Sequence, residues 1–341
     1  MRVSRSITHD KKYDGKIAQH RVIIPLYIPH ENDYYKDSFK IFTACVTSLY
    51  NTQKADTPVS VIANGCSTNI HSKLLKLQQD GFIDELLLET EQLGKINSLR
   101  RVIAASDEPF LTITDGDVMF LNNWDREVAT IFENIPRATA VSPVPVFKTY
   151  NQYTSNIWIE NLWNGKVKFE KPEDPAGLVR FANSIGWSYL NDYHSKTILT
   201  YTHADVKTVV GCSHFCTTYK REALLLAPQV PSEFLLSGSS EAVYLDIPTI
   251  KCDGYRLSTT KSFAFHLGNT WEEWMDEELE TLNSRNTDVI DWGFYSSVSN
   301  KPIKFWIKSV FLKKLMFKKN SYNFIMNQFK VPEVYKDHYL K

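Results

Sequence analysis

Between residues 21 and 114, short apolar runs alternate with amphipathic segments, and this alternation constrains the fold more than any other property of the chain. Arg21 to Ile28, Pro58 to Ala63, Ile83 to Glu89 and Phe110 to Thr114 are too short for helices and rich in residues that favour pleated backbone. Between them, Asp37 to Tyr50 places Phe39, Phe42, Val46 and Leu49 at helical spacing, and helices are expected over about His71 to Gln79 and Asn97 to Ala105. This β-α-β-α-β-α-β order predicts an α/β fold with a central, mostly parallel sheet flanked by helices.

In open sheets of this class, ligands bind outside the carboxyl ends of the strands. The fourth run stops there in Asp115-Gly116-Asp117, and apolar residues resume at Val118. With twenty aspartates in 341 residues, about one Asp-x-Asp is expected by chance, so its position carries the weight rather than its occurrence. Two carboxylates one residue apart suit a hard divalent cation, which takes its remaining ligands from water and a substrate diphosphate. Gly116 is expected to let the backbone turn tightly and a ligand come close.

Bulk properties exclude several classes. Lys plus Arg equals Asp plus Glu, 39 each, which argues against a general nucleic-acid binder. The five cysteines (Cys45, Cys66, Cys212, Cys216 and Cys252) are odd in number and do not form a disulfide framework, so a reducing cytoplasm fits best. Cys212 and Cys216 flank His214, but their spacing is not that of a usual zinc pair. Residues 1–20 read as a polar leader without the apolar stretch of a signal peptide, and no run of eighteen apolar residues exists.

After Pro143 the pattern becomes irregular and rich in Trp, Tyr and Asn to about Val206, as expected of an insertion or an acceptor-side region within the same fold. One strand is expected over Val209 to Thr218, a helix opening at Tyr219, another capped by Ser240, and a last strand near Ser262 to Phe265 that ends in His266. The expected organisation is a leader (1–20), a catalytic domain (21–295, halves about 21–142 and 143–295) and a basic amphipathic C-terminal extension (296–341). Lys301 to Lys319 carries seven lysines around Ile303, Trp306, Ile307 and Val310 at helical spacing. That composition suits peripheral contact with an anionic membrane, here the inner face of the plasma membrane, or a helix docked on the domain with its lysines in water.

Taken in order, these residues resemble the nucleotide-diphospho-sugar glycosyltransferases, particularly the inverting family 2 group with the GT-A fold, over roughly residues 20 to 270. The resemblance rests on the strand ending at Pro25 and Tyr27, on Asn64-Gly65-Cys66-Ser67, and on Gly94-Lys95 through Leu99-Arg100. It continues through Asp115-Gly116-Asp117, Gly211 to Leu224, Ser240-Glu241, Gly254-Tyr255-Arg256 and His266. Two positions depart from the family pattern: Asn64 stands where the family usually has Asp, and Arg100 where it has Asn. The usual Glu-Asp pair is also not intact near Glu241.

The resemblance implies a metal-dependent transfer of sugar from a nucleotide-diphosphate sugar to a glycan or lipid-linked acceptor hydroxyl, in surface polysaccharide or glycan synthesis. Asp117 is implied as the direct ligand of Mn²⁺ (or Mg²⁺), with Asp115 on the metal through water or on the ribose, and His266 as a third ligand. Pro25, Tyr27 and Asn64 are implied at the base, and Lys95, Arg100 and Gly116 at the nucleotide sugar. Inversion needs a carboxylate base, with Glu241 first and Asp246 second. Five residues apart, these two sit about 140° apart on an α-helix and cannot share one site unless the segment departs from that geometry. A retaining transferase on the same fold, a sugar nucleotidyltransferase and a non-catalytic nucleotide-sugar binder are the alternatives.

Overall fold

The computed structural model describes residues 12, 15, 17–187, 195–236, 239–282, 290, 292, 297–316, 318–329 and 331. Twelve strands are present among these: β1 (His20–Leu26), β2 (Val59–Asn64), β3 (Glu85–Glu89), β4 (Phe110–Thr114), β5 (Val118–Phe120), β6 (Ala138–Ser142), β7 (Val167–Glu170), β8 (Ile198–His203), β9 (Val206–Val210), β10 (Cys216–Lys220), β11 (Tyr255–Ser258) and β12 (Ala264–His266). Ten form one sheet in the order β3-β2-β1-β4-β10-β6-β11-β9-β8-β7, while β5 and β12 pair separately. The protein is α/β, with this large sheet flanked by helices.

The first four strands are all parallel, as their alternation with helices requires. The crossovers are α1 (Ser38–Thr52), α2 (Thr68–Gln79) and α3 (Lys95–Ala105). The apolar spacing of α1 buries Phe42, Cys45, Val46 and Leu49 against the sheet, and each large apolar side chain so buried contributes about 1.5–3 kcal/mol. Ser67 caps α2 by accepting from the Ile70 amide. Beyond β4 the sheet becomes mixed. β10 runs antiparallel to both β4 and β6, β6 and β11 are parallel, and β9, β8 and β7 continue antiparallel to the edge.

Two local expectations are corrected here. Val209 to Thr218 is not one strand: β9 ends at Val210, β10 begins at Cys216, and Gly211 to Phe215 form the break between them. Gly211 has φ +100° and sits against the Thr149 carbonyl, a backbone that a continuous strand excludes. Tyr255 to Ser258 is a strand of the main sheet in its own right, and the irregular region after Pro143 contains α5 (Ser155–Asn161) and α6 (Pro175–Ser184) as well as β7 and β8.

At the N-terminal side β1 already begins at buried His20, and most of the leader lies outside the described residues, as does residue 295 with the boundary placed there. The C-terminal segment is helical over Pro302–Phe305, π-wound over Trp306–Phe311 and helical again over Leu312–Met316. Lys308 reaches inward to Asp253 at 3.0 Å and to Glu160, and Arg137 binds the same two carboxylates. Lys304 also approaches Asp253 at 3.8 Å and the Lys301 amide donates to the Lys251 carbonyl at 2.8 Å, so the segment is docked on the domain. Its apolar residues Ile303, Trp306, Ile307 and Phe311 remain exposed.

Candidate active site

The carboxyl ends of β1, β2 and β4 open into a cavity of about 510 Å³. Asp115 and Asp117 leave β4 at its floor, and the Asp115 amide donates to the Phe215 carbonyl at 2.7 Å, tying the Asp-Gly-Asp turn to the β9–β10 break. Gly116 packs closely there. A Cβ on it would lie 3.0 Å from Leu26 and 3.2 Å from Phe42, and its φ is not in the left-handed region. Gly116 thus approaches the core on one side and lines the cavity on the other.

Lys95 enters from the first turn of α3. Gly94 before it has φ +89°, and a Cβ there would lie 2.6 Å from the Leu235 backbone, so only glycine lets the helix start this close to the loop. Lys95 Nζ lies 2.5 Å from Asp115 Oδ1 and 2.6 Å from Glu241 Oε1. Glu241 Oε2 lies 3.0 Å from His214 Nε2, Asp246 Oδ2 lies 3.5 Å from His214 Nδ1, and Arg256 meets Asp246 Oδ1 at 2.8 Å. Acid and base alternate from Asp115 to Arg256 without a gap.

Both candidate bases reach His214 because the backbone from Ala242 to Asp246 is π-wound. Hydrogen bonds that run i→i+5 bring residues five apart onto nearly the same face, where an α-helix would separate them. Their surroundings differ. Glu241 lines the cavity, whereas Asp246 is buried behind His214 and held by Arg256. Burial alone would raise the Glu241 carboxyl, but the hydrogen bond from His214 and the charge of Lys95 bring it down to about 2. Burial works against the imidazolium, and Asp246 and Glu241 outweigh it, holding His214 at about 9. Asp246 is likewise held low against burial by Arg256 and His214. Lys95, opposed by burial, is kept above the ordinary lysine value by Asp115 and Glu241.

The other sequence-derived residues divide. Pro25, Tyr27 and Asn64 line the cavity beside Tyr34 and Tyr35. Arg100 does not: its guanidinium donates to the Gln229 carbonyl at 2.6 Å and lies over the Tyr244 ring, on the far side of α3. It follows Lys95 by five residues, so the α-helix turns it away. His266 is brought to Asp117 by the small sheet, where His266 pairs with Val118 and the Leu267 amide donates to the Asp117 carbonyl at 2.8 Å. Its Nε2 lies 3.4 Å from Asp117 Oδ2, and its Nδ1 meets Ser184 Oγ at 3.1 Å.

His214 itself was legible only as a residue between two cysteines. Cys212 and Cys216 are buried thiols, and the imidazole between them turns into the cavity at the strand break that a continuous reading of Val209 to Thr218 conceals. Gly211 was the available signal of that break.

Among the described residues, no group of three or more His, Cys, Asp or Glu side chains is arranged to hold a metal. The Asp-Gly-Asp turn nonetheless fits a cation that draws most ligands from substrate and water. Asp117 Oδ1 is buried without a hydrogen-bond partner, and burial, with Asp115 adding to it and His266 opposing, raises the Asp117 carboxyl above its ordinary value. A positive charge at that oxygen would relieve both.

No protein-family model and no curated protein matches the chain. Among solved structures it is similar to the mannosyltransferase PcManGT from Pyrobaculum calidifontis in complex with GDP-Man and Mn²⁺, at 15% identity and TM-score 0.39 over 74% of this chain. It is also similar to GalNAc-T7 with UDP, GalNAc and Mn²⁺ (13%, TM-score 0.46, 96% of this chain) and to S. aureus TarS 1-349 in complex with UDP-GlcNAc (12%, TM-score 0.42, 95% of this chain). The chain spans 58%, 59% and 70% of the lengths of those three chains.

Proposed function

We propose that the protein is a glycosyltransferase that moves a sugar, with inversion, from a nucleotide-diphosphate sugar to an acceptor hydroxyl. The observation that carries this reading is one cavity lined by the Asp115/Asp117 turn, the Lys95 ammonium and the Glu241 carboxylate together with Tyr27, Tyr34 and Tyr35. Asp117, with Asp115 and His266, would hold a divalent cation, Mn²⁺ or Mg²⁺. When bound, it supplies Lewis-acid neutralisation of charge on the departing diphosphate. Added Mn²⁺ should raise Tm in the native protein and leave Asp117→Ala unmoved, a readout independent of turnover.

The protein's own groups account for the rest. Without substrate, Lys95 caps Asp115 and Glu241. A diphosphate competes for that ammonium, and each cation drawn off Glu241 makes it a stronger base. The acceptor oxygen then attacks the anomeric carbon while its proton passes to Glu241. The bond from that carbon to the phosphate oxygen breaks, and its electron pair leaves with the diphosphate. A second cleft of about 820 Å³, between α6 and the segment after His266, adjoins the first at Gly268 and Asn269 and gives the acceptor room. Incubating the protein with a nucleotide-sugar panel and Mn²⁺ tests the reading, with released nucleoside diphosphate as the signal. No release from any donor, with or without acceptor glycans, would refute it.

The exposed side of the C-terminal segment supports work at a membrane surface on a lipid-linked or surface glycan. Ile303 and Trp306 are 75% and 57% exposed, while Lys308 and Lys304, at 3.0 and 3.8 Å from Asp253, keep the segment docked, so membrane contact does not require it to detach. Each lysine near an anionic surface contributes about 1 kcal/mol. Liposome flotation should require anionic lipid and weaken with salt, and Trp306→Ser with Ile303→Ser should abolish it. Among the described residues no helix is long and apolar enough to cross a membrane.

A further inference from the structure

Glu241 has two oxygens, and a different cation holds each. Oε1 lies 2.6 Å from Lys95 Nζ, and Oε2 lies 3.0 Å from His214 Nε2. Lys95 also lies 2.5 Å from Asp115 and sits at the end of a flexible four-carbon stem. A diphosphate arriving at the Asp115/Asp117 turn therefore competes for this ammonium. Among the described residues, the ion-pair partners of His214 are Glu241 and Asp246, and neither belongs to that turn.

The imidazole is held where the ammonium is free to move. Each ring nitrogen of His214 faces a carboxylate, so only the imidazolium, with two N–H donors, serves both. Arg256, buried at 1% exposure, fixes this ring from two directions. Its Nη2 lies 2.8 Å from Asp246 Oδ1, behind the ring, and donates at 2.9 Å to the carbonyl of Cys212, two residues before His214. The Gly211 amide donates to the Arg256 carbonyl at 2.8 Å, and the Phe215 carbonyl accepts from the Asp115 amide at 2.7 Å. The chain is thus pinned on both sides of His214. We propose that His214 is a positioning residue for the transfer, which keeps Glu241 Oε2 when Lys95 leaves Oε1, so that Oε1 faces the acceptor and takes its proton. This inference rests on the glycosyl-transfer reading above and assigns the atom that acts as its base.

The kinetics of full-length His214→Gln test this, with the nucleotide sugar that the panel above identifies. Glutamine keeps an N–H for Glu241 but brings no charge. Its kcat is expected to fall at least about tenfold, because a misplaced base loses its near-attack geometry, while KM for the donor stays. Burial raises the Glu241 carboxyl, and the hydrogen bond from His214, ahead of the charge of Lys95, brings it down to about 2. With Lys95 withdrawn in the substrate complex, loss of the imidazolium should move the acidic limb of kcat up by about one pH unit or more. Lys95, Asp115, Asp246, Arg256, Tyr153 and Tyr219, which also face the pair, are the same in both proteins. A folded variant with native kcat, or one whose kcat falls with the limb unmoved, overturns the inference and leaves the glycosyl-transfer reading standing. If the variant does not fold, ¹⁵N-histidine NMR of the native protein decides. With the released nucleoside diphosphate and Mg²⁺ added, both ring nitrogens of His214 are expected to stay protonated, and loss of either proton overturns the inference. No turnover of any donor overturns both.

Discussion

Two pairs of carboxylates lie in or against one cavity and have been put to opposite electrostatic use. Asp115 and Asp117 are half-buried beside each other at a strand end, and burial with mutual repulsion raises Asp117, which keeps one oxygen without a partner. Glu241 and Asp246 are surrounded by Lys95, His214 and Arg256 and are both held low. The first pair shares Lys95, which lies 2.5 Å from Asp115, whereas the second has Lys95, His214 and Arg256 around it. The carboxyl is held above its ordinary value at Asp117 and below it at Glu241 and Asp246, and the proposed function uses the first to receive a cation and Glu241 to be released from one.

If that contrast is functional, substitutions in the two pairs should separate cleanly. The largest effect is expected from Asp117→Ala, which should lower transfer by at least about 10³-fold by removing Lewis-acid stabilisation worth several kcal/mol, with the fold intact by circular dichroism. Full turnover in excess chelator would break the comparison at its first term. Asp246→Asn should act on stability instead. It leaves the guanidinium of Arg256, 1% exposed, without its countercharge, and breaking a buried pair costs about 3–5 kcal/mol, readable as a loss in urea midpoint.

Glu241→Gln is nearly isosteric but takes no proton, so donor binding should persist while transfer falls by about 10² or more. Normal turnover of this variant in a folded protein would remove Glu241 as the base. The smallest effect concerns pH. His214 is raised from 6.5 to about 9, so the stability its imidazolium contributes is complete below about 6.5 and is lost as pH rises through about 9. The facing groups Glu241, Asp246, Lys95 and Arg256 keep their charges in that window. Native Tm should therefore fall more steeply than that of His214→Gln between pH 6.5 and 9, and parallel curves would show that the imidazolium contributes nothing.

The halves of the molecule were not equally legible. From Arg21 to Thr114 each strand is a local apolar run and each helix a local periodic one, so β1 to β4, α1 to α3 and the Asp115/Asp117 turn could be read from neighbouring residues. Lys95 was read only from the resemblance, since the expected helix began at Asn97 and α3 in fact starts at Lys95. Arg100 shows the limit: a charge near a site in sequence can be turned away by the helix that carries it. In the second half, β10 inserts antiparallel between β4 and β6, strands far from it in sequence, and no local pattern announces such a pairing.

What the sequence determined by itself is the α/β alternation and the placing of two carboxylates at a strand end, because both depend on periodicity and on residues within one turn of each other. Tertiary structure alone decided that Glu241 and Asp246 share His214. The π-wound turn cancels the angle that α-helical spacing predicts, and the break after Val210 delivers the imidazole between them. It also decided that the carbonyl of Asn64 accepts from the Leu93 amide, a contact across 29 positions of chain. Both outcomes depend on where buried polar groups find partners, and partners distant in sequence become neighbours only when the sheet has formed.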